Sequence, residues 1–235
     1  MLMLMGTGAT QVVNAGPSPI ETRTSYLDAP PIPVADSLVN EEDPEAAHNI
    51  LDDEYLVVYE REGEIIGQRM SALGELHEDS FAISDSDGNK KPTIAYNIST
   101  NSYIVVWEDD DGSQIDLYAI SIAGTHQNGG KQLLSPEFQV TTSSEDQSNP
   151  SIACNVNDSS CLVVYEYQLQ SSSFSEIWAE RLNVGATAIV SGGDTIVIEF
   201  EDFVSHESPD VVEVQFEVNS LISWRRSLIL IRNVS

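Results

Sequence analysis

The sequence predicts an all-β fold, and three observations support this prediction. A segment in which a proline precedes an aromatic residue by 15 positions occurs four times. The apolar runs are short, rich in Val, Ile, Tyr, Phe and Trp, and separated by clusters of Gly, Asn, Asp and Ser, which is typical of strands joined by tight turns. No stretch has a convincing helical period. We therefore expect short antiparallel strands throughout the repeats.

The repeats are units of roughly constant design but variable length. They begin near Pro44, Pro92, Pro150 and Pro209, at offsets of 48, 58 and 59 residues. In each unit the first strand follows the proline and the second ends at the aromatic residue: Tyr59, Trp107, Tyr165 and Trp224. A third apolar segment follows at 64–74, 115–124 and 176–185, and a fourth begins at Phe81, Phe138 and Ile198. Four short strands at a period of about 50 residues are the signature of β-propeller blades.

The second strands, "YLVVY", "YIVVW" and "CLVVY", are apolar without alternation. A half-exposed strand would alternate, so this pattern predicts sheets that are buried on both faces, as blades between two neighbours are. The first strands carry a compact residue in one column, which suits the crowded axis of a ring: Ala47, Ala95, Ala153 and Val212.

The two ends of the chain predict how the ring closes. The segment "IPVAD" (32–36) is in phase with a fourth strand, and the last unit offers only three strands, "VVEVQF", "SLISW" and "LILIR". We expect the N-terminal strand to complete the last blade, giving one closed four-bladed propeller domain over 32–235. The alternative is an open fragment of a larger propeller. Residues 1–31 are interpreted as a tail or as the remnant of a signal peptide.

The segments "PTIAYN", "YIVVWE" and "IIGQRMSALG" resemble the repeats of secreted bacterial and archaeal propeller proteins, loosely akin to the TolB-like propellers. The resemblance covers about residues 32–235 and is strongest in the middle two units. It implies a propeller fold and an extracytoplasmic location, whether extracellular, cell-surface or periplasmic. It implies no particular activity, because propellers host many unrelated functions.

Composition limits the classes of partner. The chain has 235 residues, of which 41% are hydrophobic, enough to fill a core. Its 38 Asp and Glu against 10 Lys and Arg give a formal net charge of -28, which disfavours nucleic acid and anionic lipid. No apolar run reaches the roughly 18 residues that span a bilayer, so we expect no transmembrane segment.

The two cysteines, Cys154 and Cys161, flank the predicted first hairpin of the third unit. They occupy the columns of Tyr96 and Tyr103 in the second unit, which places them opposite each other on antiparallel strands. We predict a structural disulfide; the alternative is a pair of reduced, buried residues. A disulfide fits an extracytoplasmic location.

Two polar residue types recur in the repeat. Glu60, Glu108 and Glu166 follow the aromatic residue in three units, with Arg225 in the fourth. Because a catalytic site is normally asymmetric whereas turn chemistry repeats, we expect a structural role for them. Asn49, Asn97 and Asn155 recur likewise and are interpreted as turn residues.

Two oxygen-rich loops are candidates for a metal site. "SDSDGNK" and "EDDDGSQID" gather oxygen ligands of the kind that calcium prefers, and both contain the Asp-Gly pair of an ordinary hairpin turn. The candidate ligands are Asp85, Asp87, Asn89, Asp109, Asp111 and Asp116. No cofactor is required by the sequence, and calcium is the one ion that it suggests.

Enzyme and binding functions are weighed against each other. No nucleophile elbow, phosphate loop or zinc-like histidine pair occurs, and the remaining enzyme hypothesis is a glycosidase using Glu45, Asp210 or Glu213 near the axis. The favoured hypothesis is a non-enzymatic binding module that recognises a protein or glycan through loops 124–137 and 167–176. Its candidate sugar-binding residues are Gln127, Asn128, Gln168, Gln170, Phe174 and Trp178.

Overall fold

The sheets of this protein follow the repeat of its sequence. In the computed structural model the described residues are 31–84, 87–125, 133–169, 175–198, 209–214 and 228–233, and all regular structure among them is β. Three four-stranded antiparallel sheets follow one another along the chain, and a two-stranded sheet follows them. The predicted all-β class is therefore confirmed.

Each four-stranded sheet is a simple meander. The first sheet contains β1 (Glu42–Asn49), β2 (Glu54–Arg61), β3 (Glu64–Ser71) and β4 (Leu76–Ala82). The second contains β5 (Asn89–Asn97), β6 (Ser102–Asp110), β7 (Ile115–Ala123) and β8 (Phe138–Gln139). The third contains β9 (Asp146–Cys154), β10 (Ser160–Gln168), β11 (Ser175–Val184) and β12 (Ile189–Ile198). The two-stranded sheet pairs β13 (Pro209–Val214) with β14 (Leu228–Asn233).

The sheets stack face to face around two apolar layers. Side chains of the first and second sheets form one layer, in which Leu56 and Val58 meet Tyr103, Val105 and Trp107. The second and third sheets form the other layer, in which Ile104 and Val106 of β6 meet Val163 and Tyr165 of β10. Successive residues of β6 therefore point into different layers, which explains its apolar sequence without alternation.

The first strands of successive sheets lie side by side. β1 contacts β5, β5 contacts β9, and β9 contacts β13. The compact residues of these strands are also in register, since Ala47, Ala95 and Ala153 each pair with the equivalent apolar residue of the second strand: Leu56, Ile104 and Leu162. The small-residue column of the sequence thus lies where neighbouring sheets approach along one edge.

The repeated proline marks a β-bulge. The residue before it has a positive φ in all three four-stranded sheets: Asp43 at 49°, Lys91 at 47° and Asn149 at 51°. The pairing of the first strand with the second shifts at the same point in each sheet. A bulge bends its strand and re-aims the residues around it. The constant proline position therefore marks the place of a bulge in the first strand of each of these three sheets.

The predicted N-terminal clasp is wrong. Residues 31–41 contain no strand, and Ile32 is 49% exposed. Pro31 and Pro33 lack the backbone N–H groups that a sheet ladder needs, which explains why "IPVAD" does not pair. A closed four-bladed ring is not found, and the described residues form no closed sheet.

Two other strand predictions differ from the structure. In the last unit β13 pairs with β14 (228–233), whereas the repeat predicts "SLISW" (220–224) as its hairpin partner; 220–224 lie outside the described residues. The fourth strands β4 and β12 begin earlier than Phe81 and Ile198, at Leu76 and Ile189. No residue of β4 is fully buried, and its first residues, "LHEDS", carry no apolar pattern.

The predicted disulfide is confirmed. Cys154 of β9 and Cys161 of β10 are directly paired, with their Cα atoms 3.9 Å apart and their sulfurs bonded. The pair is buried in the layer between the second and third sheets. It therefore takes the place of the aromatic pair formed by Tyr96 and Tyr103, whose rings lie 5.4 Å apart in the second sheet.

A buried ion pair joins the first sheet to the second. Arg69 is 1% exposed, and its Nη1 lies 2.5 Å from Oε1 of buried Glu54. The guanidinium also donates to the carbonyl oxygens of Ala123 and Gly124, at 2.5 and 3.2 Å, and lies over the ring of Tyr103. These contacts satisfy the buried charge with groups from both sheets.

Arg69→Ala is expected to lower the free energy of unfolding by about 3–5 kcal/mol, because it leaves the Glu54 carboxylate buried without its partner. Urea unfolding measures this loss. Arg61→Ala is the matched control, since Arg61 is only half-buried at the end of β2, and we expect it to cost less than about 1 kcal/mol. Equal losses in the two variants would contradict the role assigned to Arg69.

Candidate functional site

The recurring glutamate of the second unit ties two sheets together. Glu108 ends the apolar run of β6 and is fully buried. Its Oε1 accepts a hydrogen bond from the backbone N–H of Asn149 in β9, at 2.6 Å, and lies 3.2 Å from Nζ of Lys91. Asn149 is the residue of the β9 bulge, so the bulge presents its N–H to the neighbouring sheet. The predicted structural role of Glu108 is confirmed.

Two of the three lysines of the chain surround this glutamate. Lys91 Nζ donates to Oδ1 of Asn149, at 2.7 Å. Lys90 Nζ lies 2.9 Å from Oδ2 of Asp110 and 4.0 Å from Oε2 of Glu108. The hydrogen bond to Asp110 raises the pKa of Lys90 above its usual value. The ammonium groups of both lysines thus neutralise carboxylates at the junction of the second and third sheets.

The equivalent glutamates, Glu60 and Glu166, accept hydrogen bonds from residues of their own sheets. Glu60 Oε1 accepts from the N–H of Gly63 in the adjoining turn, at 2.9 Å. Glu166 Oε1 accepts from Nδ2 of Asn149, at 2.8 Å. Arg225 lies outside the described residues. The three carboxylates therefore lie near the ends of second strands, and two of them, Glu108 and Glu166, accept hydrogen bonds from the same residue, Asn149.

The recurring asparagines shape turns, as predicted. Oδ1 of Asn49 accepts from the N–H of Leu51 at 2.8 Å, and Oδ1 of Asn97 accepts from the N–H of Ser99 at 3.0 Å. Asn155 accepts in the same way from Asn157, at 2.9 Å. These are Asx-turns, which asparagine favours because its side chain replaces a backbone acceptor.

The same asparagines also reach the next sheet, a role that the sequence interpretation missed. Nδ2 of Asn49 donates to the carbonyl of Gly124 at 3.1 Å, and Nδ2 of Asn97 lies 3.6 Å from Sγ of Cys161. Both side chains are completely buried. Only their recurrence in successive units signals this role, since a turn alone does not need a buried asparagine.

The two acidic loops predicted as metal sites meet at one end of the second sheet. The backbone N–H of Asp110 donates to the carbonyl of Gly88 at 3.2 Å. Gly88 has a φ of 96°, and a Cβ there would lie 2.5 Å from the carbonyl oxygen of Asp110, so only glycine allows this approach. Asp85 lies outside the described residues.

Three of the six predicted ligands, Asn89, Asp111 and Asp116, hold hydrogen bonds within the protein. Oδ1 of Asp111 accepts from the hydroxyl and the N–H of Ser113, and Oδ1 of Asp116 accepts from Gln114 at 2.8 Å. Asn89 bonds the indole N–H of Trp107 at 2.7 Å and is buried, whereas Asp87 is exposed. Among the described residues, no three His, Cys, Asp or Glu side chains form a group that could hold a metal ion. The calcium site stays a prediction.

The carboxylates at this end of the second sheet have pKa values shifted in different directions. Burial raises the pKa of Asp109 and of Asp116, and the neighbouring carboxylate of Asp111 raises both further. Asp109 and Asp116 are directly paired across β6 and β7, where like charges oppose each other. The hydrogen bond from Lys90 lowers the pKa of Asp110 instead.

The predicted sugar-binding loops are described in part. Gln127, Asn128, Gln170 and Phe174 lie outside the described residues. Gln168 accepts a hydrogen bond from the hydroxyl of Ser175 at 2.9 Å. Trp178 stacks on Tyr167 with ring centroids 4.0 Å apart, and its indole N–H donates to Glu176 at 2.8 Å. One face of the Trp178 ring is therefore already covered, and its role in sugar binding stays a prediction.

The carboxylates of the glycosidase hypothesis lie on two separate strands. Glu45 is exposed on β1. Asp210 and Glu213 lie on β13, paired with Arg232 and Ile229 of β14. The structure describes the strand positions of Asp210 and Glu213 but not their side chains, and the glycosidase stays a prediction.

Apolar residues at equivalent positions are exposed on one side of the stack. We call this the hairpin side, because the turns 49–54, 97–102 and 155–160 between first and second strands lie there. The residue after each recurring asparagine is exposed: Ile50 by 66%, Ile98 by 37% and Val156 by 43%. We name these three residues the turn row.

The first two turns of the hairpin side contact each other through their asparagines. Nδ2 of Asn49 lies 3.4 Å from Oδ1 of Asn101 in the next turn, and Asn101 accepts the N–H of Gly124 at 2.8 Å. The first two turns are thus neighbours. The turn row takes one exposed apolar side chain from each of the three four-stranded sheets.

Comparison with known proteins gives structural neighbours but no family. No family model matches the sequence, and a search of the curated proteins finds no match. Solved structures similar to this chain include a thermostable family-43 glycoside hydrolase (15% identity, TM-score 0.46, covering 69% of this chain and 61% of that one). TolB from Acinetobacter baumannii is similar at 11% identity with a TM-score of 0.41, covering 83% of this chain and 41% of that one. The endo-arabinase from Bacteroides thetaiotaomicron VPI-5482 is similar at 12% identity with a TM-score of 0.29, covering 87% and 96%.

These neighbours are propeller-type proteins. This chain spans less than two thirds of the length of the first two, and at these identities and scores the likeness assigns neither a family nor an activity. Within the described residues, no helix is long and apolar enough to cross a membrane.

The raised pKa values of Asp109 and Asp116 predict a pH effect on stability. Between the ordinary pKa of 3.8 and the raised values, the folded state holds more protons than the unfolded state, so these groups destabilise the fold as pH rises. Asp116→Asn is expected to increase the urea midpoint at pH 7 and to change it little at pH 3.

Asp110→Asn is the matched control, because its carboxylate has a lowered pKa and pairs with Lys90. This variant is expected to lower the midpoint at pH 7, the opposite sign. A loss of stability at pH 7 in both variants would show that the ionised carboxylate of Asp116 does not destabilise the folded state.

Proposed function

We propose that this protein is a non-enzymatic, extracytoplasmic binding module on a β-propeller scaffold, which recognises a protein or glycan ligand on the hairpin side. The observation that supports this most is the contrast between two sets of recurring residues. The recurring glutamates and asparagines are used in bonds within and between sheets. The recurring apolar residues of the turn row are exposed instead, by 37–66%.

The propeller assignment is supported by how the sheets are arranged. Each four-stranded meander is one sequence unit, its neighbours cover its faces, and the first strands of successive units lie side by side. Blades of a propeller have this arrangement, with their first strands nearest the axis.

The location is supported by the Cys154–Cys161 disulfide. Disulfides persist in oxidising compartments and are rare where glutathione keeps thiols reduced. The remaining surface is strongly acidic, with a formal net charge of -28 for the chain, which keeps a secreted protein soluble and away from nucleic acid. Both features suit an extracellular, cell-surface or periplasmic module.

The turns suit recognition because the scaffold beneath them is rigid. Each turn of the row begins at an asparagine that fixes the backbone, and two of these asparagines are anchored in the next sheet. Loops held in this way lose little conformational entropy when they bind. No specific observation favours the glycosidase that would use Glu45, Asp210 or Glu213.

The proposal predicts that the purified protein does not cleave glycans. A panel of soluble neutral and acidic polysaccharides, assayed for new reducing ends, should show no release above that of heat-unfolded protein. The double variant Glu45→Gln/Asp210→Asn should behave like the parent. Turnover by the parent that is lost in the double variant would establish the enzyme and reject the binding module.

A further inference from the structure

Two residues at equivalent positions of neighbouring sheets hold an amine and a carboxamide in contact. Lys91 of β5 and Asn149 of β9 each precede the repeated proline, at the bulge of their strand. Nζ of Lys91 donates to Oδ1 of Asn149 at 2.7 Å, across a sequence separation of 58. Because Oδ1 is bonded to Cγ, Nζ lies within about 4 Å of the amide carbon. The nucleophile and the carbonyl carbon of an amide-forming reaction are thus already neighbours.

The backbone of both residues is in the left-handed region, with φ of 47° at Lys91 and 51° at Asn149. Asparagine adopts this conformation readily, whereas lysine does so rarely because of the position of its Cβ. Backbone strain of this kind persists where the surrounding structure fixes it, and it is concentrated at functional sites. The two bulges therefore hold these side chains together despite an unfavourable conformation at Lys91.

Two buried glutamates contact the same groups. Oε1 of Glu108 lies 3.2 Å from Nζ of Lys91 and accepts the backbone N–H of Asn149. Its Oε2 is buried, lies 4.0 Å from Nζ of Lys90 and has no hydrogen-bond partner among the described residues. Oε1 of Glu166 accepts from Nδ2 of Asn149 at 2.8 Å. Glu108 is therefore within reach of the proton that it would take from Lys91, and Glu166 holds the amide nitrogen.

We propose that Lys91 and Asn149 form an intramolecular isopeptide bond between the second and third sheets, with Glu108 as the general base. Glu108 takes a proton from the Lys91 ammonium, and the freed amine attacks Cγ of Asn149. The bond from Nζ to Cγ forms and the bond from Cγ to Nδ2 breaks.

The protons of this reaction balance within the site. Glu108 returns its proton to Nδ2 of Asn149, which leaves as ammonia. Nζ loses a second proton as the amide forms, and the ammonia carries this proton away as ammonium. The side chain of Lys91 is 43% exposed, so the ammonium has access to solvent. The reaction needs no oxidant, reductant or further reactant.

The bond restricts the unfolded chain as a disulfide does, because it closes a long loop between β5 and β9. A reductant breaks the Cys154–Cys161 disulfide but leaves an amide intact. The proposal goes beyond the binding function and does not depend on which ligand the hairpin side recognises.

Mass spectrometry of the full chain tests the proposal directly. The folded protein is incubated at neutral pH until its mass is constant, then denatured and reduced. Its mass should be lower than that of its amino-acid sequence by one molecule of ammonia. Trypsin cleaves after Lys90, Lys131 and Arg181, so the peptides 91–131 and 132–181 should appear as one branched peptide. Fragmentation of this peptide should place the branch at Lys91 and Asn149.

Variants separate the nucleophile from the base. Lys91→Arg keeps the positive charge but removes the primary amine, and it should show the full sequence mass. Glu108→Gln keeps the size of the side chain but removes the base, and it should also show the full mass. The matched control is Lys131→Arg, which changes the third lysine of the chain, outside the described residues, and should lose ammonia as the parent does. Circular dichroism should show that each variant keeps its β structure.

Three results would overturn the proposal. The full sequence mass in the folded parent would show that the contacts remain hydrogen bonds only. A loss of ammonia that persists in Lys91→Arg would come from cyclisation of an asparagine elsewhere in the chain. A branched peptide that forms equally fast in folded Glu108→Gln would reject Glu108 as the base. If Glu108→Gln does not fold, the comparison of the parent with Lys91→Arg still decides whether the bond forms.

Discussion

The whole stack depends on one constraint, which is that its middle sheet is apolar on both faces. Tyr103, Val105 and Trp107 of β6 point to the first sheet, whereas Ile104 and Val106 point to the third, and all five are fully or almost fully buried. Such a sheet cannot be stable alone in water, since either face would be exposed without neighbours. The repeat of the sequence is therefore a requirement for folding: each unit supplies the cover for the next.

Apolar layers alone would let neighbouring sheets slide, and buried polar bonds fix their relative position. Arg69 of the first sheet bonds carbonyls of the second, Asn49 does the same, and Glu108 of the second sheet bonds the bulge of the third. These groups lie in the poorly polarisable interior, where a hydrogen bond to a charge is strong and an unpaired group is costly. In the third sheet, the bulge before Pro150 turns the N–H of Asn149 toward Glu108 of the second sheet.

Features that recur with a pattern of apolar residues could be predicted from the sequence. Features that depend on contacts between neighbouring sheets could not. The pairing of Cys154 with Cys161 followed from the columns of the repeat, and the buried second strands followed from their lack of alternation. The start of β4 was misplaced because its first residues carry no apolar pattern. The segment "IPVAD" was wrongly predicted as a strand because its position in the repeat was given more weight than its prolines. The reach of Asn49 into the next sheet, and the meeting of the two acidic loops, could not be predicted because both depend on contacts between units.

The recurring glutamates are structural residues, and the contribution of each to stability depends on the contacts that its carboxylate makes. Urea unfolding of Glu108→Ala, compared with that of Glu60→Ala, measures this difference. We expect Glu108→Ala to lower the free energy of unfolding by about 2–3 kcal/mol, since the protein then loses a hydrogen bond between the part-buried N–H of Asn149 and a fully buried carboxylate. We expect a loss of less than about 1 kcal/mol for Glu60→Ala, whose carboxylate bonds its own turn at a partly exposed position. Equal losses in the two variants, or no loss for Glu108→Ala, would contradict this role of Glu108.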